Sequence, residues 1–216
     1  MVAAAVRSGR AARSGPAETP RLRLPSPPSR PDPDHGAGLP MASLHEVLAG
    51  RSAVRTYGAR RPTAQLLSAV VALALDHVAC QWPVEVHGPP PDLLLAAHDV
   101  TGLEPGLHRW KSSDSADGIH TLAQPSWLRD LQHRYCAAPA MFLLHGSPLR
   151  AGADGYGDLL VRVGSLGHAL WLAARTHGLD ACAFGGPSPE VTALLRTTDA
   201  TERHLFTLAT GYAADG

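Results

Sequence analysis

Residues 156–187 read YGDLLVRVGSLGHALWLAARTHGLDACAFGGP, and this stretch decides the fold. Its apolar residues recur every three or four positions over more than four turns, the spacing of a helix that is buried along most of its surface. These apolar positions are Leu159, Leu160, Val163, Leu166, Leu170, Trp171 and Ala174. Gly178 predicts the end of the helix. The small residues that follow predict a loop over residues 180–187, and then a new helix from Ser188 as N-cap to about Arg196.

Two glycines lie inside the predicted helix, although each costs about 0.5–1 kcal/mol relative to alanine. Gly164 and Gly167 therefore predict that something approaches the helix backbone closely at this point. A neighbouring helix or a flat ligand would satisfy that requirement.

The composition of the chain bounds its class. It has 216 residues, 44% of them hydrophobic, and a formal net charge of zero. That length suits one domain with a core, and a neutral chain offers no long-range attraction for nucleic acid. The three cysteines are too far apart to indicate a zinc site or a disulfide framework, which predicts a reduced, cytoplasmic protein. No apolar run approaches the roughly 18–20 residues that cross a bilayer, so no membrane partner is expected.

The first 40 residues differ in composition from the rest of the chain. They hold six arginines, one early acid and a cluster of prolines, which is too little apolar surface to offset the entropy of ordering. We expect a disordered Arg/Pro-rich tail over residues 1–40 and one domain over residues 41–216. An extension without function, a tail of unknown role, a transit peptide and a true start at Met41 all stay open for this segment.

The rest of the domain mixes helix and strand signals without strict alternation. Helices are predicted over residues 43–50, 62–78 and 127–135, and strands over residues 79–87, 93–97, 107–110, 140–144 and 204–212. Residues 93–97 could equally form a helical turn. Residues 111–118 and 146–155 are expected to be loops. The pattern predicts an α+β domain with a central antiparallel or mixed sheet flanked by helices.

Arg51 and Arg55 stand four residues apart directly after the first predicted helix, and Ser52 lies between them. On a helical turn this spacing places both guanidinium groups on one face, where together they could hold a phosphate group. A pair of solvated surface arginines is the alternative, and the two residues by themselves leave both readings open.

Five segments carry a resemblance to a known family. They are Arg-x-x-x-Arg at residues 51–55, Trp-Pro-Val-Glu-Val at residues 82–86, Gly-Leu-Glu-Pro-Gly-Leu-His-Arg-Trp at residues 102–110, the helix end LAARTHGL at residues 172–179, and a last strand into Gly211 and Tyr212. Their order resembles the nitroreductase-like flavoprotein superfamily over about residues 43–212. The Gly-Leu-x-Pro-Gly turn is most similar to the SagB-type branch, the thiazole/oxazole (azoline) dehydrogenases.

The resemblance implies a nitroreductase-like fold and a homodimer that binds FMN at the subunit interface, with Trp171 on a helix at the dimer seam. Members of this branch oxidise thiazoline or oxazoline rings in peptides and related natural products, and they pass two electrons to FMN. The cofactor-binding positions by similarity are Arg51, Ser52 and Arg55 at the phosphate and Gln81, Gly185 and Gly186 at the flavin ring. The implied substrate is a peptide or a small molecule, and a biosynthetic partner protein is a further expectation.

The chain departs from this branch at the catalytic positions. The Lys-Tyr pair of azoline dehydrogenases aligns with Arg150 and Ala151. A replacement acid or base would come from Tyr156, His168 or His145, for each of which a structural role is the alternative.

Three further positions bear on the flavin pocket. A flavin-contacting Ser or Asn of the family is replaced by Ala79. Cys80 and Cys182 would flank the flavin, where a reactive thiol is one reading. The twelve histidines form no His-x-x-x-His pair and no Cys/His cluster, so no metal is assigned.

Three functions follow from these observations. The first is an FMN-dependent oxidoreductase, an azoline-type dehydrogenase that acts on a peptide or natural-product intermediate. The second is a flavin-free family member that serves as a scaffold or partner subunit of a biosynthetic enzyme. The third is an NAD(P)H-dependent reductase of nitro compounds or quinones. Bound flavin separates the first and third functions from the second.

Overall fold

The computed structural model describes residues 44–81, 90–110 and 119–214 of the chain. The helices within them are α1 (Leu44–Ala49), α2 (Ala64–Gln81), α3 (Leu128–Arg134), α4 (Pro148–Thr176) and α5 (Pro189–Leu195). The strands are β1 (Asp92–Ala97), β2 (Gly106–Trp110), β3 (Ile119–Ala123), β4 (Ala140–Gly146), β5 (Asp180–Phe184) and β6 (Arg203–Gly211). The predicted tail over residues 1–40 lies outside the described residues.

The six strands form one antiparallel sheet in the order β3-β2-β1-β4-β6-β5. β4 lies inside the sheet, and every one of its residues is buried. β6 pairs with β4 on one side and with β5 on the other, where Phe184 stands opposite Thr207. The predicted α+β class with a central antiparallel sheet is confirmed.

Helices cover both faces of the sheet. Because successive side chains of a strand point to opposite faces, β4 divides its residues between two cores. Phe142 and Leu144 belong to a core shared with buried residues of α2 and α4, whereas Met141 and Leu143 belong to one shared with α3 and α5. The layers are therefore α2 and α4, the sheet, and then α3 and α5.

α4 is longer than its apolar pattern indicates. It begins at Pro148, because the side chain of Ser147 caps it by accepting a hydrogen bond from the backbone N–H of Arg150. The predicted loop over residues 146–155 is therefore wrong. Gly152, with non-helical φ +70° and ψ −178°, kinks α4 and separates a short first segment from the long helix that follows. At the other end Gly178 adopts the left-handed conformation, with φ +75°, that its prediction as a helix stop requires.

Other predicted elements also change. Residues 180–184 form strand β5 and not a loop, because their backbone pairs with β6 even though most of their side chains are small. Residues 79–81 belong to the last turn of α2 and not to a strand. β3 has no counterpart in the sequence prediction. The rest of the predicted strand, residues 82–87, and the predicted loop at residues 111–118 lie outside the described residues.

The two glycines of α4 have different surroundings. A Cβ atom at Gly167 would lie 2.6 Å from Cε1 of Phe206, so the helix backbone approaches β6 closely there. A Cβ atom at Gly164 would meet no atom of the described residues within 4 Å. The predicted close approach therefore holds for Gly167, and the neighbour is a strand side chain, not another helix or a flat ligand.

α2 is the one described helix that is long and apolar enough to cross a membrane, with a mean hydropathy of 1.4 over its 18 residues. Four of its residues are buried in the core that it shares with α4 and the sheet: Leu67, Val70, Val71 and Ala74. Only 22% of this helix is buried within the described residues, so burial does not mark it as a core helix, and one such helix is by itself weak evidence for a membrane span. The expectation that no apolar run approaches that length is wrong for residues 64–81.

Candidate active site

Arg51 and Arg55 lie on an extended segment and not on a helical turn. Ala53 pairs with Ala181 in a parallel bridge, and the next backbone N–H donates to the carbonyl of Ala181 at 3.1 Å. Segment 51–57 therefore runs along the outer edge of β5. The prediction that both guanidinium groups share one helical face is wrong, because pairing with β5 holds the backbone extended. The two arginine Cα atoms can then stand as far as roughly 13 Å apart.

Arg51 reaches across to α4. Its Nη1 donates a hydrogen bond to Nδ1 of His168 at 3.4 Å, and its guanidinium carbon lies 5.6 Å from the ring centroid of Trp171. Because arginine can only donate, Nδ1 of His168 is the acceptor, and the neutral ring carries its proton on Nε2. Burial, and then the electrostatic effect of the neighbouring Arg51 and His77, hold the pKa of His168 below its usual range. His168 is therefore neutral near pH 7 and offers Nε2–H as a donor.

Gln81, the last residue of α2, is fixed beside the same face of α4. The hydroxyl of Ser165 donates to Oε1 of Gln81 at 2.9 Å, and Nε2 of Gln81 donates to Nε2 of His77 at 2.9 Å. Ser165 and His168 are three residues apart on α4, so they occupy neighbouring positions on one helix face. Arg51, Gln81 and His168 thus form one group, which we call the α4 cluster.

Arg55 lies near the glycine loop that follows β5. Its guanidinium carbon is 5.9 Å from the ring centroid of Phe184, the last residue of β5. The ring of Tyr135 packs on Phe184 with centroids 5.2 Å apart, and its hydroxyl donates to the carbonyl of Gly186 at 2.6 Å. A Cβ atom at Gly185 or Gly186 would meet no described atom within 4 Å, so the backbone of this loop is accessible to a ligand.

Segment 51–57 has the chemistry that an anionic cofactor needs. Within the described residues neither Arg51 nor Arg55 has a carboxylate partner, and Ser52 is exposed between them. A dianionic phosphate requires such unbalanced cations, and a flat ring requires accessible backbone of the kind found at Gly185 and Gly186. The residues present therefore fit FMN.

The structure separates the two candidate catalytic residues. Tyr156 and His168 are twelve positions apart on α4, which is roughly 18 Å along the helix axis. His168 belongs to the α4 cluster, whereas Tyr156 is 45% exposed and lines a groove that includes Pro187. A single chain therefore does not bring both side chains to one reacting atom.

His145 is part of a buried ion-pair network. It is 2% exposed, and its Nδ1 donates to Oε2 of Glu202 at 2.8 Å. Arg150, which aligns with the lysine of azoline dehydrogenases, is paired with Asp199 and Glu202. These contacts tie the start of α4 to the segment before β6. His145 and Arg150 therefore have a structural task.

The three cysteines differ in their surroundings. Cys182 lies in β5 with 1% of its surface exposed, and Cys80 is exposed next to Gln81. Burial raises the pKa of the half-buried Cys136 to about 11, so its thiol is protonated and unreactive near pH 7.

The described residues contain no group of three or more side chains that could hold a metal ion.

Three side chains that support the site were not predicted from the sequence to be part of it: His77, Ser165 and Tyr135. His77 stands four residues before Gln81, and Ser165 three before His168, so helical spacing could have indicated both. The contact of Tyr135 with Gly186 joins positions 51 residues apart and leaves no local signal.

The chain is similar to a known protein family and to solved structures. The profile described as the nitroreductase family matches residues 48–212, whereas no curated protein matches significantly. A proposed nitroreductase from Anabaena variabilis superposes with a TM-score of 0.59 at 19% identity, over 78% of this chain and 37% of that one. The matched part of the chain thus spans 37% of the length of the Anabaena protein.

Two other solved structures are matched over most of both chains. A nitroreductase-like family protein from Bacillus cereus gives a TM-score of 0.53 at 15% identity, over 83% of this chain and 90% of that one. An enone reductase of gut-bacterial fatty acid saturation metabolism gives 0.54 at 15% identity, over 82% and 92%. At these identities the likenesses concern the fold alone.

The family match includes segment 51–57, the α4 cluster, the glycine loop and most of the sheet. The nitroreductase-like fold expected from the resemblance is thereby confirmed. The chain belongs to the nitroreductase family, a family of oxidoreductases whose members commonly use FMN.

Proposed function

We propose that the protein is an FMN-dependent oxidoreductase that acts on a peptide or other natural-product intermediate, as an azoline-type dehydrogenase. The observation that carries the proposal is the pair Arg51 and Arg55, which have no carboxylate partner among the described residues. Arg51 contacts His168 on α4, and Arg55 contacts Phe184, which precedes an accessible glycine loop. Support for the azoline branch comes from the Gly-Leu-Glu-Pro-Gly turn at residues 102–106.

In this proposal each group of residues has a task. Arg51 and Arg55 bind the phosphate, with Ser52 as a further donor between them. Gln81 orients the flavin ring through a side-chain amide that Ser165 already holds in place. The glycine loop lets the ring approach the backbone. FMN, when bound, supplies two-electron transfer to or from the substrate.

The proton that accompanies the electrons is the task of the candidate catalytic residues. His168 is neutral with its proton on Nε2, because Arg51 donates to Nδ1. Tyr156 carries a hydroxyl that has no partner among the described residues. The hydroxyl of Tyr156 can donate a proton. Neutral His168 can donate a hydrogen bond from Nε2–H, but it can accept a proton only if Arg51 first leaves Nδ1. Oxidation of an azoline therefore requires that Arg51 moves to the phosphate.

The same donors favour a second candidate function, the reduction of a nitro compound or a quinone with NAD(P)H. A substrate that is reduced takes up protons. The hydroxyl of Tyr156 can supply one, whereas Nε2–H of neutral His168 can only donate a hydrogen bond to the substrate. Arg150, at the position of the family's lysine, is held by two carboxylates and is not free to act as a base. A flavin-free scaffold is the third function, and it requires that no flavin binds.

We propose further that two copies associate through an exposed face of α4. Leu160 and Val161 are 42% and 56% exposed, although both are aliphatic. A Cβ atom at Gly157 or Gly164 on this helix would meet no described atom within 4 Å, which leaves room for a second backbone. Light scattering after size exclusion should give a dimer, and Val161→Asp should give a monomer.

The test of the proposed function is the colour of the purified protein. We expect an absorbance band near ~450 nm and release of FMN on denaturation. Anaerobic bleaching by an azoline-containing peptide supports the dehydrogenase, and bleaching by NAD(P)H supports the reductase. A colourless protein that gains nothing from added FMN, and that co-purifies with a partner, contradicts both.

The free cysteines agree with a cytoplasmic location, which is part of the proposal.

A further inference from the structure

A groove outside the α4 cluster runs between the start of α4 and α5. It consists of two adjoining depressions of about 650 and 520 Å³, which share Pro187, Thr192, Arg196 and Arg203. Apolar side chains wall the larger one, namely Pro148, Leu149, Tyr156, Ala200 and Leu205. This volume lies within the range of sites that take a drug-sized ligand.

The charge of the groove is one-sided. None of the described residues that line it is acidic, whereas Arg196 and Arg203 line both depressions. Both arginines are exposed, and neither side chain has a partner among the described residues. Two fixed cations without a counter-charge make the groove attractive to an anion.

Three carboxylates near the groove, those of Glu190, Asp199 and Glu202, are held by other arginines. Glu190 pairs with Arg134 at 3.2 Å, and Asp199 and Glu202 pair with Arg150. The positive charge of Arg196 and Arg203 is thus left facing solvent within the described part of the chain.

The other polar groups of the groove are already hydrogen-bonded. His204 is 1% exposed, burial lowers its pKa to about 4, and its Nδ1 accepts from the N–H of Ser188 at 2.8 Å. The hydroxyl of Thr201 accepts from Ser147 at 2.7 Å. The hydroxyl of Thr192 accepts from a backbone N–H at 3.2 Å. The groups left over are the two guanidinium groups and the Tyr156 hydroxyl, all of which can donate.

We propose that this groove binds an organic carboxylate with an apolar body. Arg196 and Arg203 bind the carboxylate, and the ring of Tyr156 and the apolar wall contact the body. Pro187 joins the groove to the glycine loop, since it follows Gly186 directly. The ligand would then be the substrate of the oxidoreductase, and only this last identification rests on the proposed function.

The test is calorimetric titration of the full chain with two matched probes, 2-naphthoate and 2-naphthamide. We expect naphthoate to bind at least about tenfold more tightly than the uncharged amide, and added salt to weaken it. The double variant Arg196→Gln/Arg203→Gln should lose about tenfold or more of the naphthoate affinity. Arg129→Gln, which changes an exposed arginine on α3, is the matched control and should bind naphthoate as the native chain does.

Two additions sharpen this test. A capped tetrapeptide with a free C-terminal carboxylate, compared with its amide, distinguishes a peptide ligand from a small acid. The FMN content of every sample is measured as well, so loss of the groove and loss of the flavin are seen separately. Equal affinity for naphthoate and naphthamide, no binding of naphthoate, or unchanged binding by the double variant would overturn the proposal.

Discussion

The two ends of α4 carry similar residue types and use them in opposite ways. Near its C-terminal end, Arg51 and His168 contact each other, and Arg51 has no carboxylate partner among the described residues. Near its N-terminal end, Arg150 is paired with two carboxylates, and His145 is bound to Glu202. An arginine whose charge is balanced inside the chain supports the fold, whereas an unbalanced one is available to a ligand.

The largest expected effect lies at the unbalanced end. The double variant Arg51→Gln/Arg55→Gln removes both cations, so we expect FMN affinity to fall at least about 100-fold. The free energy of unfolding should change by less than about 0.5 kcal/mol, because both side chains are exposed. Quenching of flavin fluorescence measures the first quantity and urea unfolding the second. Unchanged FMN affinity would remove the main support for the flavin site.

Acid should weaken the folded state. Burial lowers the pKa of His204, which lines the groove, to about 4, and it does the same to His98. The unfolded chain takes up these protons below about pH 6.5, whereas the folded chain does so only near pH 4. The stability is therefore full above pH 6.5 and is lost as the pH falls through this window, by on the order of 3 kcal/mol per histidine.

Urea unfolding at several pH values between 7.5 and 4.5 checks this prediction. His98→Gln should remove part of the pH dependence, because His98 contributes one of the two shifts. A free energy of unfolding that does not change across the window, or an unaltered slope in the variant, speaks against buried neutral imidazoles.

Between the two ends, the glycines of α4 provide a matched pair. Gly167→Ala forces a Cβ atom against the ring of Phe206, and we expect a loss of about 1–3 kcal/mol. Gly164→Ala meets open space, so the better helix propensity of alanine should leave the monomer as stable or up to about 1 kcal/mol more stable. Thermal unfolding compares the two variants. Equal destabilisation by both would contradict the close packing of α4 on β6.

The smallest expected effect is the loss of stability when the ion pairs of Arg150 and Arg134 are broken. Arg150→Gln leaves Glu202, whose side chain is 11% exposed, without its cation, at a cost of about 1–2 kcal/mol because Arg150 itself is half exposed. Arg134→Gln breaks an exposed pair with Glu190 and should cost less than about 1 kcal/mol. Urea unfolding measures both costs. FMN affinity should stay unchanged in both variants, and a loss in Arg150→Gln would place that residue in the flavin site.

Much of the fold could be predicted because its main elements carry strong periodicity. Leu159, Leu166 and Leu170 are buried as the spacing of α4 requires, and residues 140–144 form the buried strand that their apolar run indicates. β5 could not be read in this way, since Ala181 and Ala183 have little strand propensity and only pairing with β6 makes them a strand. Ser147 and Pro148 carry the same N-cap signal as Ser188 and Pro189 at the start of α5. The true start of α4 could therefore have been predicted from the sequence.

The site was predictable in its residue types and not in its grouping. A spacing of four between Arg51 and Arg55 has the same appearance in a helix and in an extended chain, and the bridge from Ala53 to Ala181 that decides between them is not local. The distance between Tyr156 and His168, in contrast, follows from the predicted helix, which already runs through both positions.

Segment 51–57 also has a protective consequence. β5 is the last strand of the sheet, and an uncovered last strand invites pairing with a foreign chain and aggregation. Because the backbone around Ala53 occupies that position, a deletion that removed the two cations would also expose the strand. A lineage that abandoned the cofactor could therefore replace the arginines one by one, but it would have to keep the stretch of chain that carries them.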